Sequence, residues 1–313
     1  MTDLVKVEMA QVTTKAFSAS LREDWIKFIR VSEKSRQTYD TCIKQMFKYF
    51  SVNGITQPTR ENIADWIDGL ISKGRSACTV QLYLTSAKLF FRWTSDTGIY
   101  PNVADHLKSG VKISSEHKKD ALTKEQGANL LKAVKGDSEL AKRNRAIIAL
   151  MLTAGLRTVE VERANVGDLV EVGGSHFLFV QGKGRSEKAE RVLIGTQVYN
   201  LLINYLSTRK DTRADSPLFT STSRRNYGKR LSRQSVGKLA KAAMRSIGLD
   251  SKRLSAHSLR HSAATAMLLA GIDIADVSMV LRHKSINTTM IYRHDLDRLK
   301  NKAEQAAADY FFI

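Results

Sequence analysis

The chain has 313 residues, 42% of them hydrophobic, with a formal charge of +19 and a pI near 9.9. That length suits about two domains, and the lack of any apolar run of about 18 residues excludes a helical membrane span. With two cysteines, Cys42 and Cys78, in no ligand or C-x-x-C spacing, both are expected to be reduced, semi-buried small hydrophobes rather than metal ligands or a redox pair.

The opening residues, MTDLVKVEMAQVTTKAF, lack a basic run followed by an apolar one. No secretory leader and no membrane partner are expected, and a cytoplasmic location is. Three prolines in the chain fit a helix-rich fold. The positive charge is unevenly placed. Residues 1–118 carry 17 basic and 12 acidic side chains, and residues 119–313 carry 33 and 19. Clustered Arg and Lys at this pI point to nucleic acid rather than to a merely solvated surface.

Residues 18–107 read as short amphipathic helices. In SLREDWIKFIRV, Leu21, Trp25, Phe28 and Ile29 share a stripe; in SRQTYDTCIKQMFKYFSVNG, Tyr39, Ile43, Met46, Phe47 and Phe50 do, with Gly54 marking a stop. Thr59 is a candidate N-cap for TRENIADWIDGLISKG. A fourth helix is expected from about Ser76 to Thr94. The basic residues between the stripes, Lys27, Arg30, Lys34, Arg36, Lys44 and Lys48, suit a DNA-facing surface. Residues 108–120 are polar, without apolar periodicity, and read as a linker.

Thr123 with Gln126 forms the capping-box pattern that opens the next helix. KRNRAIIALMLTAGLR predicts a buried helix ending at Gly155. Three short β-prone segments follow, DLVEV, HFLFVQ and RVLI, separated by Gly173-Gly174 and by GKGRSEK. They predict a small antiparallel sheet with Lys183, Arg185 and Lys188 at its tip. From about residue 196 the pattern is helical again. In AHSLRHSAATAMLLAG, His257 and Arg260 fall on one face, and Leu259, Ala263, Ala266 and Met267 are expected to face the core. The fold class is therefore mainly α in two domains, a helical one and a mixed α/β one with a three-stranded antiparallel sheet.

Arg157, Lys183, His257, Arg260, His283 and Tyr292 stand out as a set. Taken singly, each has a bland reading: a helix cap, a solvated hairpin tip, a surface pair, a packing ring. Together they supply what metal-free attack on a phosphodiester needs. Two guanidinium forks match the nonbridging oxygens, a Lys or His can protonate the leaving oxygen, and a tyrosine can hold the phosphate covalently. The sequence offers no Gly-rich phosphate loop with Lys-Ser/Thr, no metal spacing among its seven histidines and no Gly-x-Ser-x-Gly elbow. No cofactor and no metal are expected.

At these positions the sequence resembles the tyrosine recombinase (phage integrase) family. The matching motifs are Gly155-Leu156-Arg157 with Glu160, Gly182-Lys183-Gly184, His257-Ser258-Leu259-Arg260-His261 with Ala264 and Thr265, and Leu281-Arg282-His283 with Tyr292 nine residues on. The resemblance implies a short N-terminal segment (1–17), a helical core-binding domain that clamps DNA (18–107), a linker (108–120), a catalytic domain (121–298) and a C-terminal helical tail (299–313). It implies a site-specific recombinase that cleaves and rejoins DNA through a 3′-phosphotyrosyl link and a Holliday junction, serving integration and excision of a mobile element or resolution of DNA multimers.

In that scheme Tyr292 is the nucleophile, and Arg157 and Arg260 clamp the phosphate. Lys183 is the general acid, favoured over Lys188 by its place in the GKG match. His257 assists the proton transfer and His283 binds the phosphate. Glu160 and Asp168 support Arg157 and its loop. Expected DNA contacts are Lys183, Arg185, Lys188, Arg282, Lys44 and Lys48. The implied partners are double-stranded DNA with paired inverted sites and three further copies of the chain, in a tetramer whose C-terminal tails dock in trans. Accessory directionality factors are also compatible with it, as is a bacterial or phage-encoded, nucleoid-associated protein. Two features depart from the family pattern: Arg282 replaces the usual glycine, and the hairpin is about two residues longer and lacks the usual proline. Two rival readings share much of the chemistry, an inactive DNA-binding relative and a type IB topoisomerase.

Overall fold

The computed structural model describes residues 17–112, 120–182, 187–283, 285–301 and 303–312, apart from the side chains of 294–300 and 304. The chain divides into two compact units, Met1–Ser114 and Ser115–Ile313. The division falls inside the stretch read as a linker.

Unit 1 consists of α1 (Ala19–Phe28), α2 (Glu33–Val52), α3 (Arg60–Ser72) and α4 (Ala77–Asp96). Each start is fixed by a hydroxyl side chain, Ser18, Ser32, Thr59 or Ser76, accepting a backbone N–H of the first turn. Thr59 and Asn62 close a reciprocal capping box. The apolar stripes meet in one aromatic core. Phe17 lies 5.6 Å from Phe47, 5.5 Å from Phe50 and 5.1 Å from Tyr100, all edge-on. Trp25, Ile43, Met46, Ile63 and Phe90 are buried there, each stabilising the unit by about 1.5–3 kcal/mol.

The first stripe differs from the expectation at its end. Leu21 and Trp25 are buried, but Phe28 is 60% exposed and Ile29 is half-buried. Phe28 is the last helical residue, so the chain departs before that face can close over it. Cys42 is buried and Cys78 exposed, and the two form no disulfide; Cys78 sits in the first turn of α4.

Unit 2 begins with α5 (Lys124–Ala133), capped by the Thr123–Gln126 box, and α6 (Glu139–Thr153). Residues Ala146 to Met151 of α6 are buried on every side, as expected of an apolar helix end. The short α7 (Thr158–Arg163) leads into the sheet of β1 (Leu169–Val172), β2 (Ser175–Val180) and β3 (Glu190–Ile194), antiparallel in the order β1-β2-β3. Val172 pairs with Ser175 across Gly173-Gly174, whose φ values of 59° and 75° give the doubly positive turn that a two-residue hairpin favours. The helices α8 (Thr196–Leu206), α9 (Arg233–Arg245), α10 (Ala256–Leu269), α11 (Ile274–Val280), α12 (Asn287–Lys300) and α13 (Ala303–Phe311) complete the unit.

The main core of unit 2 gathers Ile147, Leu150, Leu178, Leu202, Phe219 and Leu259. A smaller cluster of Ala264, Val277, Leu281 and Tyr292 joins α10, α11 and α12. Along α10, Leu259 and Ala263 are buried as expected and Met267 is half-buried, but Ala266 is exposed. The buried run covers residues 258–264, and the helix emerges from the core after it. Among the described residues no helix is long and apolar enough to cross a membrane.

Candidate active site

Three separated stretches of unit 2 converge. The first is the turn after α6. Gly155 has φ 62° and turns the chain so that Arg157 becomes the residue capping α7. The second is α10, bearing His257, Arg260 and His261. The third is the segment from Leu281 to Tyr292, at the end of α11 and the start of α12.

Arg260 is fully buried. Its Nη1 donates to the Gly155 carbonyl at 2.5 Å, and its Nη2 donates to the Leu281 carbonyl. Burial, together with the charges of Arg157 and Arg282, pulls it down to about 9, still cationic at neutral pH. Arg157 is half-buried. Its Nη1 donates to Glu160 Oε1 at 2.9 Å and its backbone N–H to Oε2 at 2.8 Å. Its Nη2 donates to the Arg282 carbonyl at 3.2 Å. Both guanidiniums are thus held by carbonyls of the residues just before His283.

Glu160 has no exposed surface. Burial pushes its carboxyl up, but the guanidinium of Arg282, the backbone N–H of Arg157 and the Arg157 charge outweigh burial and hold it below the usual range. Glu160 is therefore an anion beneath two arginines. The support expected of it for Arg157 is present, and Arg282 shares it. Arg282 was expected to face DNA, yet its side chain is 6% exposed and turned inward to this carboxylate, because an unpaired buried charge would be costly.

Tyr292 is 4% exposed. The ring of His261 meets it edge-on at 5.0 Å, and that of His283 lies roughly parallel at 6.2 Å. His257, exposed in the first turn of α10, stands 5.1 Å from His261. Burial raises the Tyr292 phenol, opposed by the charges of Arg260 and Arg157. His283 Nδ1 is 2.7 Å from Thr289 Oγ1. Burial, then the charges of Arg260, Arg157, Arg282 and His257, push His283 down to about 3, so it is neutral near pH 7.

Lys183 and Arg185 lie outside the described residues. Lys188 Nζ is bonded to Asp168 Oδ2 at 2.5 Å, an oxygen that also accepts the Asn165 N–H at 2.6 Å. Lys188 therefore braces the root of the sheet instead of projecting outward. Lys44 and Lys48 are exposed on α2, with Lys44 paired to Asp40 at 2.6 Å. The sequence reading quoted His261 in its motif without giving it a role, and passed over Thr289. Both lie within stretches already singled out, and their spacing, four residues after His257 and six after His283, was the available signal. No group of three or more metal-ligating side chains occurs among the described residues.

Residues 120–298 match the phage integrase family, and residues 23–98 match the N-terminal SAM-like domain of phage integrases. Tyrosine recombinase XerD of Oceanobacillus iheyensis is 28% identical over 286 residues, covering 87% of this chain and 92% of the relative. Tyrosine recombinase XerA of Pyrococcus furiosus is 29% identical, covering 93% and 96%. In fold, the chain is similar to the XerH site-specific recombinase bound to a palindromic difH substrate in a post-cleavage complex. The TM-score is 0.68 at 22% identity, covering 88% of this chain and 79% of that one. It is also similar to a lambda integrase dimer bound to a core site, with a TM-score of 0.65 at 18% identity, covering 85% and 95%. The family model spans more than half of the chain, over the residues that bring Arg157, Arg260, His283 and Tyr292 together, and the chain belongs to the phage integrase family.

Proposed function

We propose that the chain is a site-specific recombinase that cleaves and rejoins double-stranded DNA through Tyr292. The observation that carries this is the convergence of two buried or half-buried guanidiniums, a neutral histidine and a tyrosine from three separate stretches, in a chain of this family. Arg157 and Arg260 exchange protein carbonyls for the nonbridging oxygens of the scissile phosphate, where planar forks fit best.

The Tyr292 oxygen attacks phosphorus and the bond to the 5′ oxygen breaks. The phenolic proton leaves through His257, and Lys183 gives a proton to the leaving 5′ oxygen. Attack by the 5′ hydroxyl of a partner strand on the 3′-phosphotyrosyl link reverses the step through a Holliday junction, so bond energy is conserved without a cofactor. With the Thr289 hydroxyl donating to Nδ1, the neutral His283 carries its proton on Nε2 in this scheme and hydrogen-bonds the phosphate through it.

The same reading makes unit 1 the core-binding clamp, with Lys44 and Lys48 toward the backbone, and unit 2 the catalytic domain. It also assigns the tail a docking role between protomers of a tetramer on paired inverted sites. In support, Tyr310, Phe311 and Phe312 are 72%, 80% and 88% exposed, more apolar surface than a lone helix end leaves bare without a partner.

The test is covalent capture. The full chain is mixed with a randomised pool of nicked duplexes, and adducts are resolved on denaturing gels. An adduct with wild type and none with Tyr292→Phe, which should still bind DNA, supports the reading. An adduct that survives Tyr292→Phe, or a wild type that binds DNA and never forms one, refutes it.

A further inference from the structure

Position 282 carries arginine where the family pattern has glycine, yet the backbone keeps a glycine-like conformation, φ 56°. That region costs a residue with a Cβ about 1 kcal/mol or more. The side chain must therefore return something, and its contacts say what. Nε donates to Glu160 Oε1 at 3.2 Å and Nη2 to Oε2 at 2.8 Å, a two-point fork. Arg157 supplies the other two donors to the same oxygens. A carboxylate accepts at about four sites, so Glu160 is filled, two bonds from each arginine.

Arg282 also reaches outward from this pair. Its Nε lies 3.9 Å from Glu190 Oε2, on the first residue of β3. Its own carbonyl accepts from Arg157. One residue therefore touches the clamp arginine, the carboxylate that aims it, and the strand end that borders the β2–β3 loop. A glycine at this position would leave Glu160 buried with half of its donors and would drop the link to β3.

We propose that Arg282 is a positioning residue for the phosphate clamp, completing the Glu160 carboxylate that aims Arg157 and tying it to Glu190, where β3 leaves the β2–β3 loop. This rests on the proposed function, because its effect is exerted through Arg157 on the scissile phosphate. It also accounts for the departure from glycine without a direct DNA contact.

The test uses the duplex captured by the wild-type chain. Failure of the wild type to capture any duplex overturns the recombinase reading and is distinguishable from failure of this one. Single-turnover adduct formation at saturating DNA is compared for wild type, Arg282→Gly, Arg282→Met and Arg282→Lys. The Gly and Met variants should slow adduct formation on the order of 10²-fold, as misaimed groups do, while DNA affinity changes far less and Lys recovers part of the rate. The acidic limb of their rate–pH profiles should move to higher pH. With Arg282 gone, Glu160 retains Arg157 directly, with Arg260, His283 and Glu190 as the charged or titratable neighbours, and takes up a proton more readily.

Wild-type rates with an unmoved acidic limb overturn the proposal. So does an equal loss of rate and affinity in all three variants with the limb unmoved, which marks a purely structural residue. Where the Gly and Met variants do not fold by circular dichroism, Arg282→Lys decides alone. A slowed rate with affinity kept and the limb shifted supports positioning, and a wild-type rate overturns it.

Discussion

Replacing Gly155 with alanine perturbs the turn on which the clamp is built. At φ 62° an added Cβ costs about 1–2 kcal/mol in backbone strain. The new carbon would also stand 2.6 Å from Leu281 Cδ2, with Ala263 Cβ at 3.6 Å and Arg260 Cγ at 3.9 Å. The last two are ordinary contacts, but the first is an overlap. Leu281 is fully buried in the small cluster with Val277 and Tyr292, so it cannot swing aside freely, and overpacking of this kind costs about 1–3 kcal/mol.

Together the two terms give about 2–5 kcal/mol, a large share of a domain stability of about 5–15 kcal/mol. Urea unfolding can read this with internal controls, because Trp25, Trp66 and Trp93 all lie in the unit 1 core. Far-UV circular dichroism follows both units and tryptophan fluorescence follows unit 1. Gly155→Ala should lower the unit 2 transition seen by dichroism and leave the fluorescence transition in place. A dichroism shift below about 0.5 kcal/mol, the scale of inert surface changes, would refute the packing argument. Displaced fluorescence would refute the independence of the two cores.

Four further outcomes are expected. Ser262→Ala strands the buried Leu122 N–H, now 2.7 Å from the Ser262 hydroxyl, and should destabilise unit 2 by about 1–3 kcal/mol in the same urea assay. Thr289→Val removes the partner of His283 Nδ1 and should slow adduct formation roughly fivefold, an effect of about 1 kcal/mol, with little change in the urea midpoint. His283 titrates near 3 when folded against an ordinary 6.5. Its contribution to stability is thus full above 6.5 and is lost as pH falls from there toward 3, because the unfolded chain binds the proton first. His283→Gln should therefore flatten the fall of the urea midpoint between about pH 7 and about pH 5. Finally, a plot of log affinity for duplex DNA against log salt should be linear, with a slope of about −0.9 per neutralised phosphate; salt-independent binding would contradict the basic surface.

Where local chemistry decides, the sequence could be read closely. Thr59 and Thr123 cap helices through their own hydroxyls, and Gly173-Gly174 makes its own hairpin. Periodicity over-reached where burial depends on where a helix ends against its neighbours, as at Phe28 and Ala266. Arg157, Lys183, His257, Arg260, His283 and Tyr292 were legible as a set because their order and spacing are unusual, and the fold draws Arg157, Arg260, His283 and Tyr292 toward one place. Arg282 was legible as an oddity but not as a partner of Glu160. That pairing needs α11 to end with a left-handed residue beside the α6–α7 turn, 122 positions away in sequence. Lys188 misled for the same reason, since its bond to Asp168 spans 20 residues and the sheet between them.

The two sides of the site differ in how tightly the fold grips them. The stretch of α10 from Ser258 to Ala264, with Arg260, is buried residue after residue, whereas Tyr292 rides on α12 and is anchored with three other buried residues, Ala264, Val277 and Leu281. Amide hydrogen exchange should separate them. The α10 amides should exchange only by global opening of unit 2, and those of α12 by small local openings. On the function proposed above, the arginines would then act as a fixed anvil, and the timing of strand cleavage would belong to the helix that carries the tyrosine onto it.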